Sequence, residues 1–188
     1  LDAEKDPWSW QSEDDRYNYD FVSNTGAAGL RHAITLSPDT YLQSAILVSG
    51  NDQGDVAERL DENYAAQQEY RANHINKKIT VSSVLNHKFN ARHSIRSGAY
   101  FNKYYFNLIQ RELNEETNEM EEFLNVKGQA ATVQLFSQWN FRMTENLTWN
   151  SGMHYLRLTD NNTASLEPRA SLKYNLTERQ SVRVGYGL

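Results

Sequence analysis

The sequence predicts an all-β chain: an antiparallel up-and-down meander of about eight strands, forming a segment of a larger transmembrane β-barrel. Three observations carry this. Apolar and polar residues alternate along most of the chain, short turn signals recur near positions 38, 91, 145 and 178, and the connections between those hairpins are mostly long. Alternate strand side chains point to opposite faces, so each alternating run presents one apolar and one polar face.

The cleanest run is TASLEPRASLKYNLTERQSVRVGYGL, Thr163 to Leu188. Ala164, Leu166, Pro168, Ala170, Leu172, Tyr174 and Leu176 share one parity, and Ser165, Glu167, Arg169, Ser171, Lys173 and Asn175 the other. After the turn Thr177-Glu178-Arg179, Val182, Val184, Tyr186 and Leu188 resume the apolar row opposite Ser181, Arg183, Gly185 and Gly187. An end inside this alternation leads us to expect a longer parent chain. Pro168 lacks a ladder donor, so it needs an edge, a bulge or a locally open register.

The other hairpins follow the same rule. Residues 1–25 read as a loop leading into a strand, and 26–188 as four hairpins with long outer loops near 50–70 and 110–127. The first hairpin has Leu30, Ile34 and Leu36, the turn Ser37-Pro38-Asp39-Thr40, then Leu42, Ile46 and Val48. Proline pre-sets φ there, and aspartate bonds nearby backbone. The second runs from Ile79 through Asn90-Ala91-Arg92 to Phe101, and the third from Val133 through Thr144-Glu145-Asn146 to Tyr155. The segment 111–127 carries six carboxylates and is expected to hold a short helical turn at most.

Short connections at one end and long ones at the other are the sidedness of an outer-membrane barrel. Phe89, Trp139, Phe141, Trp149 and Tyr174 share the apolar parity close to the short turns. They read either as an interfacial girdle or as the core of a soluble sheet. The opposite parity, including Thr132, Gln138, Asn140, Arg142, Thr148 and Asn150, reads as a wet interior or as a solvated outer face. Lys103 and Arg157 fall on the apolar parity and are expected toward the long-loop ends, where a charge costs least.

Composition narrows the classes. Among 188 residues, 39% are hydrophobic and 12% aromatic, with a mean hydropathy of -0.76, polar for a compact enzyme. The net charge of -5 argues against a nucleic-acid partner. There is no cysteine, hence no disulfide framework and no cysteine metal site. No run of about 18 apolar residues offers a transmembrane helix, and LDAEKDPWSW has no leader pattern.

Several stretches together resemble the barrel of TonB-dependent outer-membrane receptors, in particular the group with a carboxypeptidase-regulatory-like N-terminal domain. They are SNTGAAGLRHAITLSPDTYLQSAILVSG, NARHSIRSGAYF, KGQAATVQLFSQWNFRMTENLTWNSGMHY and SLEPRASLKYNLTERQSVRVGYGL, covering residues 23–188. The resemblance implies a barrel of about 22 strands that imports a nutrient: a glycan, a metal chelate, cobalamin or a peptide. It implies outer-membrane lipid, a plug domain and an energy-coupling TonB-type complex as partners, a bacterial outer-membrane location, and long loops facing outward. None of the family's plug or coupling residues falls on a position of this sequence.

No catalytic pattern emerges, and neither a cofactor nor a metal ligand set is expected. His32, His74, His87, His93 and His154 show no ligand spacing, and Asn51-Asp52-Gln53-Gly54-Asp55 lacks the closing glutamate of a calcium loop. For ligand binding, the aromatics Trp8 and Trp10, beside carboxylates, suggest a sugar-stacking surface; the competing reading is a loop anchored by its rings. Two other architectures remain open: a soluble β-sandwich that binds carbohydrate, and a complete eight-stranded outer-membrane barrel.

Overall fold

The computed structural model describes Ala3, 9–61 and 63–188. Eight strands run in chain order: β1 (Tyr17–Ser37), β2 (Thr40–Leu60), β3 (Ala66–Lys88), β4 (His93–Asn114), β5 (Glu119–Arg142), β6 (Leu147–Leu158), β7 (Ala164–Asn175) and β8 (Ser181–Gly187). They form one sheet in the order β1-β2-β3-β4-β5-β6-β7-β8, so each strand pairs with its sequence neighbours and β1 and β8 are the two edges. A 3-10 turn spans Glu13–Arg16, and no described helix is long and apolar enough to cross a membrane.

This topology removes two of the alternatives. A sandwich needs a second sheet over the apolar face, and all eight strands belong to one. A complete small barrel needs β1 paired with β8, and the sheet is open.

Chain contacts divide the molecule into two compact units. The second, Ala28–Val48, Ile79–Lys103 and Ala130–Leu188, contains the alternating sequence. Its burial is inverted relative to a soluble protein. Along β7 the apolar residues Leu166, Leu172 and Tyr174 are exposed while Ser165, Glu167, Ser171 and Lys173 are half-buried. Leu30 is 78% and Val184 69% exposed, whereas the most buried polar residue is Asn102 at 4%. Asn102 is satisfied on both sides: Thr80 Oγ1 donates to its Oδ1 (2.9 Å), and its Nδ2 donates to Thr132 Oγ1 (3.2 Å). A buried amide with both ends paired avoids the desolvation cost of an orphaned group.

The short turns share one device. The N–H groups of Phe89, Met143 and Leu176 donate to the carbonyls of His93, Leu147 and Gln180 at 3.0, 2.9 and 2.9 Å. Inside each turn one side-chain oxygen caps two backbone donors: Asn90 caps Arg92 and His93, Thr144 caps Asn146 and Leu147, and Thr177 caps Arg179 and Gln180. Such short polar side chains favour turns because they can replace a backbone acceptor locally. Each turn is also fastened to the next hairpin. Lys88 N–H donates to Asp39 O (2.8 Å), Arg142 N–H to Arg92 O (2.8 Å) and Asn175 N–H to Asn146 O (2.9 Å).

Pro168 takes its place without a bulge. It is paired with Met153 in the β6–β7 ladder, and Leu188 N–H donates to its carbonyl at 3.3 Å. A strand residue's N–H and C=O point to the same side, so the missing donor faces β8 and leaves the β6–β7 ladder intact.

The other unit takes in the described residues of Leu1–Ala27 with Ser49–Lys78 and Tyr104–Gln129. Here the expected boundaries are corrected. Tyr17 to 25 is strand, not lead-in loop, and most of 50–70 and 110–127 is strand as well, with tight turns at 61–65 and 115–118. No helical turn occurs in 111–127; Asn114 Oδ1 caps the N–H groups of Glu116 and Thr117 instead. Asn51–Asp55 lies within β2, where successive side chains alternate sides and do not converge as a calcium loop requires. The physical reason is common to all of these. Alternation reports a half-buried face, whereas the ladder is made by backbone groups and persists where both faces are polar. Left-handed residues occur at Asn118 (φ 56) and Tyr64 (φ 63) in turns of this unit, and at Asn162 (φ 58) in a turn of the other. Asparagine tolerates that region and tyrosine rarely adopts it.

Candidate functional site: a polar cavity on one sheet face

The registers of β5 to β8 place the polar rows of these four strands. Gln138, Gly152, Arg169 and Gly187 stand in one row; Asn140, Asn150, Ser171 and Gly185 in the next; Arg142, Thr148, Lys173 and Arg183 in the third. Above them lie Phe136, His154 and Glu167. The apolar rows interleave: Leu135, Tyr155 and Leu166; Trp139, Ser151, Ala170 and Tyr186; Phe141, Trp149, Leu172 and Val184. The expected division into two faces therefore holds residue by residue.

The polar face bounds a cavity of about 1080 Å³, with lining residues from all eight strands. Its charge is opposite in sign to that of the chain. Lys88, Arg96, Arg169 and Arg183 line it against the single carboxylate of Asp39. The glycines at 152, 185 and 187 leave backbone bare between the long side chains. Arg96 lies over the Phe136 ring at 5.8 Å, and Tyr100 stacks on that ring at 5.9 Å.

Above the cavity floor, Glu167 collects three side chains. Arg169 Nη2 donates to its Oε2 (2.7 Å), His154 Nδ1 meets the same oxygen at 3.2 Å, and Ser165 Oγ donates to Oε1 (3.2 Å). His154 Nε2 reaches Gln134 Oε1 at 3.4 Å. The group is a polar network along a wall.

The apolar face carries the aromatics. Trp139 and Phe141 stack at 5.4 Å with their planes 2° apart, and His93 stacks on Phe141 at 4.3 Å and on Trp139 at 5.6 Å. His87 meets Phe89 edge to face at 4.5 Å and bonds Thr40 Oγ1 at 2.8 Å. Sequence reading found the aromatics but not the two histidines between them. Their parity, odd like that of Phe89 and Ile95, was the available signal. A second, apolar cavity of about 560 Å³ lies among Leu30, Ile46, Val81, Ala99, Phe101 and Val133, over the hydrogen-bonded pair Ser44–Ser83 (3.1 Å).

The remaining expected residues are elsewhere. Trp8 lies outside the described residues. Trp10, in the first unit, has the Arg16 guanidinium over its ring at 5.1 Å and Tyr64 tilted against it at 6.0 Å. Arg16 also donates through Nε and Nη2 to Leu60 O (3.1 and 2.9 Å), which ties this aromatic group to β2. Asp15 accepts the N–H groups of Ser12 (2.9 Å) and Gln11 (2.6 Å), and these bonds, Ser12's first, hold its carboxyl below the usual range. Nearby, Glu69 bridges Tyr17 Oη (2.9 Å) and Arg59. His74 bonds Gln110 at 2.8 Å, and in the acidic segment Glu122 faces Arg111 at 3.3 Å. Arg157 Nη2 donates to Asn162 Oδ1 at 2.8 Å, in the β6–β7 connection.

Neither a protein-family model nor a curated protein matches the chain. Solved structures do match its fold. One is the ferric-catecholate import receptor Fiu of E. coli K12 in its open form, at a TM-score of 0.65 and 13% identity over 89% of this chain. A second is the RagAB peptide transporter, at 0.63 and 11% over 93%, and a third the copper transporter OprC, at 0.63 and 10% over 87%. All three are import receptors or transporters. At such identities the likeness establishes the fold alone. The chain spans only 35%, 23% and 29% of those three chains.

Proposed function

We propose that this chain is part of the barrel of a TonB-dependent outer-membrane receptor that imports a nutrient, in the group with a carboxypeptidase-regulatory-like domain. The inverted burial carries the reading: an exposed apolar face with a polar face turned to a cavity, in an open eight-stranded meander. Water outside and a dry core inside would reverse both faces. Lipid outside and a wet lumen inside satisfy them. Within the second unit the strands run for about ten residues, the length a tilted strand needs to cross a bilayer. The structural neighbours support transport at the coarse level, and their greater length accords with a wall segment.

In this reading the apolar rows meet outer-membrane lipid, and His93, Trp139 and Phe141 sit at the interface beside the short periplasmic turns. The polar rows face the lumen, where a plug domain works with the energy-coupling complex, and the connections between hairpins face outward. Trp8 and Trp10 are the ligand contacts of this reading. Glycan, metal chelate, cobalamin and peptide all remain within the substrate class.

Because the chain has no cysteine, single cysteines report sidedness directly. In the parent receptor on intact cells, Glu116→Cys should react with a membrane-impermeant maleimide and Glu178→Cys only after the outer membrane is opened. The reverse labelling would refute the orientation, and absence from the outer-membrane fraction would refute the reading.

A further inference from the structure

The polar face carries an unbalanced row of cations at its short-turn end. Arg142 on β5, Lys173 on β7 and Arg183 on β8 stand in one register row across Thr148, with Lys173 directly opposite Arg183. Lys88 ends β3 in the position that Arg142 holds on β5, each giving its N–H to a carbonyl of the preceding short turn. Among the described residues none of the four has an ion-pair partner. Like charges directly opposed across a ladder are destabilising. Here Lys173 and Arg183 are so opposed, with Arg142 in the same row, in a chain whose net charge is -5.

We propose that this row is an anion-binding belt at the rim of the polar cavity, and that it takes a small multivalent oxyanion with phosphate or carboxylate groups. The belt supplies four donors-only heads around one opening, and Lys88 and Arg183 themselves line the cavity. Gly185 and Gly187 follow Arg183 on the same parity of β8, and the Arg169 side chain lies over Gly187, 3.0 Å from where a Cβ would stand, which brings a further guanidinium stem to that side of the cavity. Arginine offers two parallel donors to an oxyanion and lysine a compact charge, so the row suits several oxygens at once. The neutral groups nearest it, Thr148, Ser171, Asn140 and Asn150, add donors without adding competing carboxylates. The inference rests on the import reading and sharpens it: an imported solute, or the carrier that brings it, presents negative charge to this rim.

The test is calorimetric titration of the full chain, folded in detergent, with tripolyphosphate and separately with citrate at low and high salt. Both probes should bind, more weakly as salt rises. Lys173→Gln with Arg183→Gln should weaken binding at least tenfold, and Lys127→Gln in the other unit should leave it unchanged. Preference for one probe assigns the phosphate or the carboxylate source. Circular dichroism of each variant separates lost binding from lost folding; Lys88→Gln with Arg142→Gln provides a second pair should the first fail to fold. No binding to folded chain, or binding indifferent to both pairs, overturns the belt. That result leaves the outer-membrane reading standing, since fractionation and cysteine labelling decide it independently.

Discussion

The ring of Phe136 lies across Gly98: a Cβ at position 98 would come within 2.6 Å of Phe136 Cε1 and 2.8 Å of the Ser83 carbonyl oxygen. A ring over a strand glycine packs against bare backbone and fixes the pairing locally. Gly98→Ala should therefore displace both the ring and a ladder carbonyl, costing about 1–3 kcal/mol by overpacking. Gly26→Ala, whose Cβ would meet nothing within 4 Å, should not. Thermal unfolding of the two variants in detergent tests the contrast, and equal midpoints would refute it.

Leu172 and Ser171 are consecutive residues with opposite surroundings, one exposed on the apolar rows and the other facing the cavity. If lipid covers the apolar face, Leu172→Arg, in the register row of the interfacial Phe141, should lower folding stability in vesicles by up to about 1 kcal/mol, and Ser171→Arg less. Folding titrations into lipid vesicles measure both. A larger penalty for the serine would place lipid on the wrong side.

The capped turns predict small, equivalent losses. Asn90→Ala, Thr144→Ala and Thr177→Ala each remove a side-chain oxygen that accepts two backbone donors. Exposure lets water replace it, so each should cost about 0.5–1.5 kcal/mol. Thr144→Asn should restore most of the loss. Denaturant midpoints give the comparison; a loss confined to one turn would argue against a shared device.

Asp15 supplies the pH prediction. Its folded pKa is depressed by the Ser12 and Gln11 N–H groups, so its contribution is present above the unfolded value and is lost as pH falls through the folded one. The Ser12 and Gln11 amide resonances should shift with a midpoint below that of a free aspartate, about 3.9, and Asp15→Asn should abolish the transition. A midpoint at or above the free value would contradict the assignment.

Residues 164–176 show why much of this was legible in the sequence. One face there is apolar throughout, so parity alone separates Leu172 from Lys173, and Asn90, Thr144 and Thr177 mark turns by their own chemistry. The outer half of β2 was illegible for the converse reason: in NDQGDVAERLD neither face is uniformly apolar, so nothing periodic survives although the backbone ladder does. The cavity's wall was readable as a list of polar residues. Its sign was not, because the lining cations Lys88, Arg96, Arg169 and Arg183 come from β3, β4, β7 and β8, and only the register sets Arg142, Lys173 and Arg183 in one row.

The bonds from Lys88 to Asp39, Arg142 to Arg92 and Asn175 to Asn146 make each hairpin a tile with matching edges. The two middle hairpins, β3–β4 and β5–β6, each offer a turn carbonyl on one side and a strand-end amide on the other, so their joints have the same form on both sides. Duplicating or deleting one whole hairpin would preserve every remaining joint. Such a wall can change girth in steps of two strands without redesigning its seams.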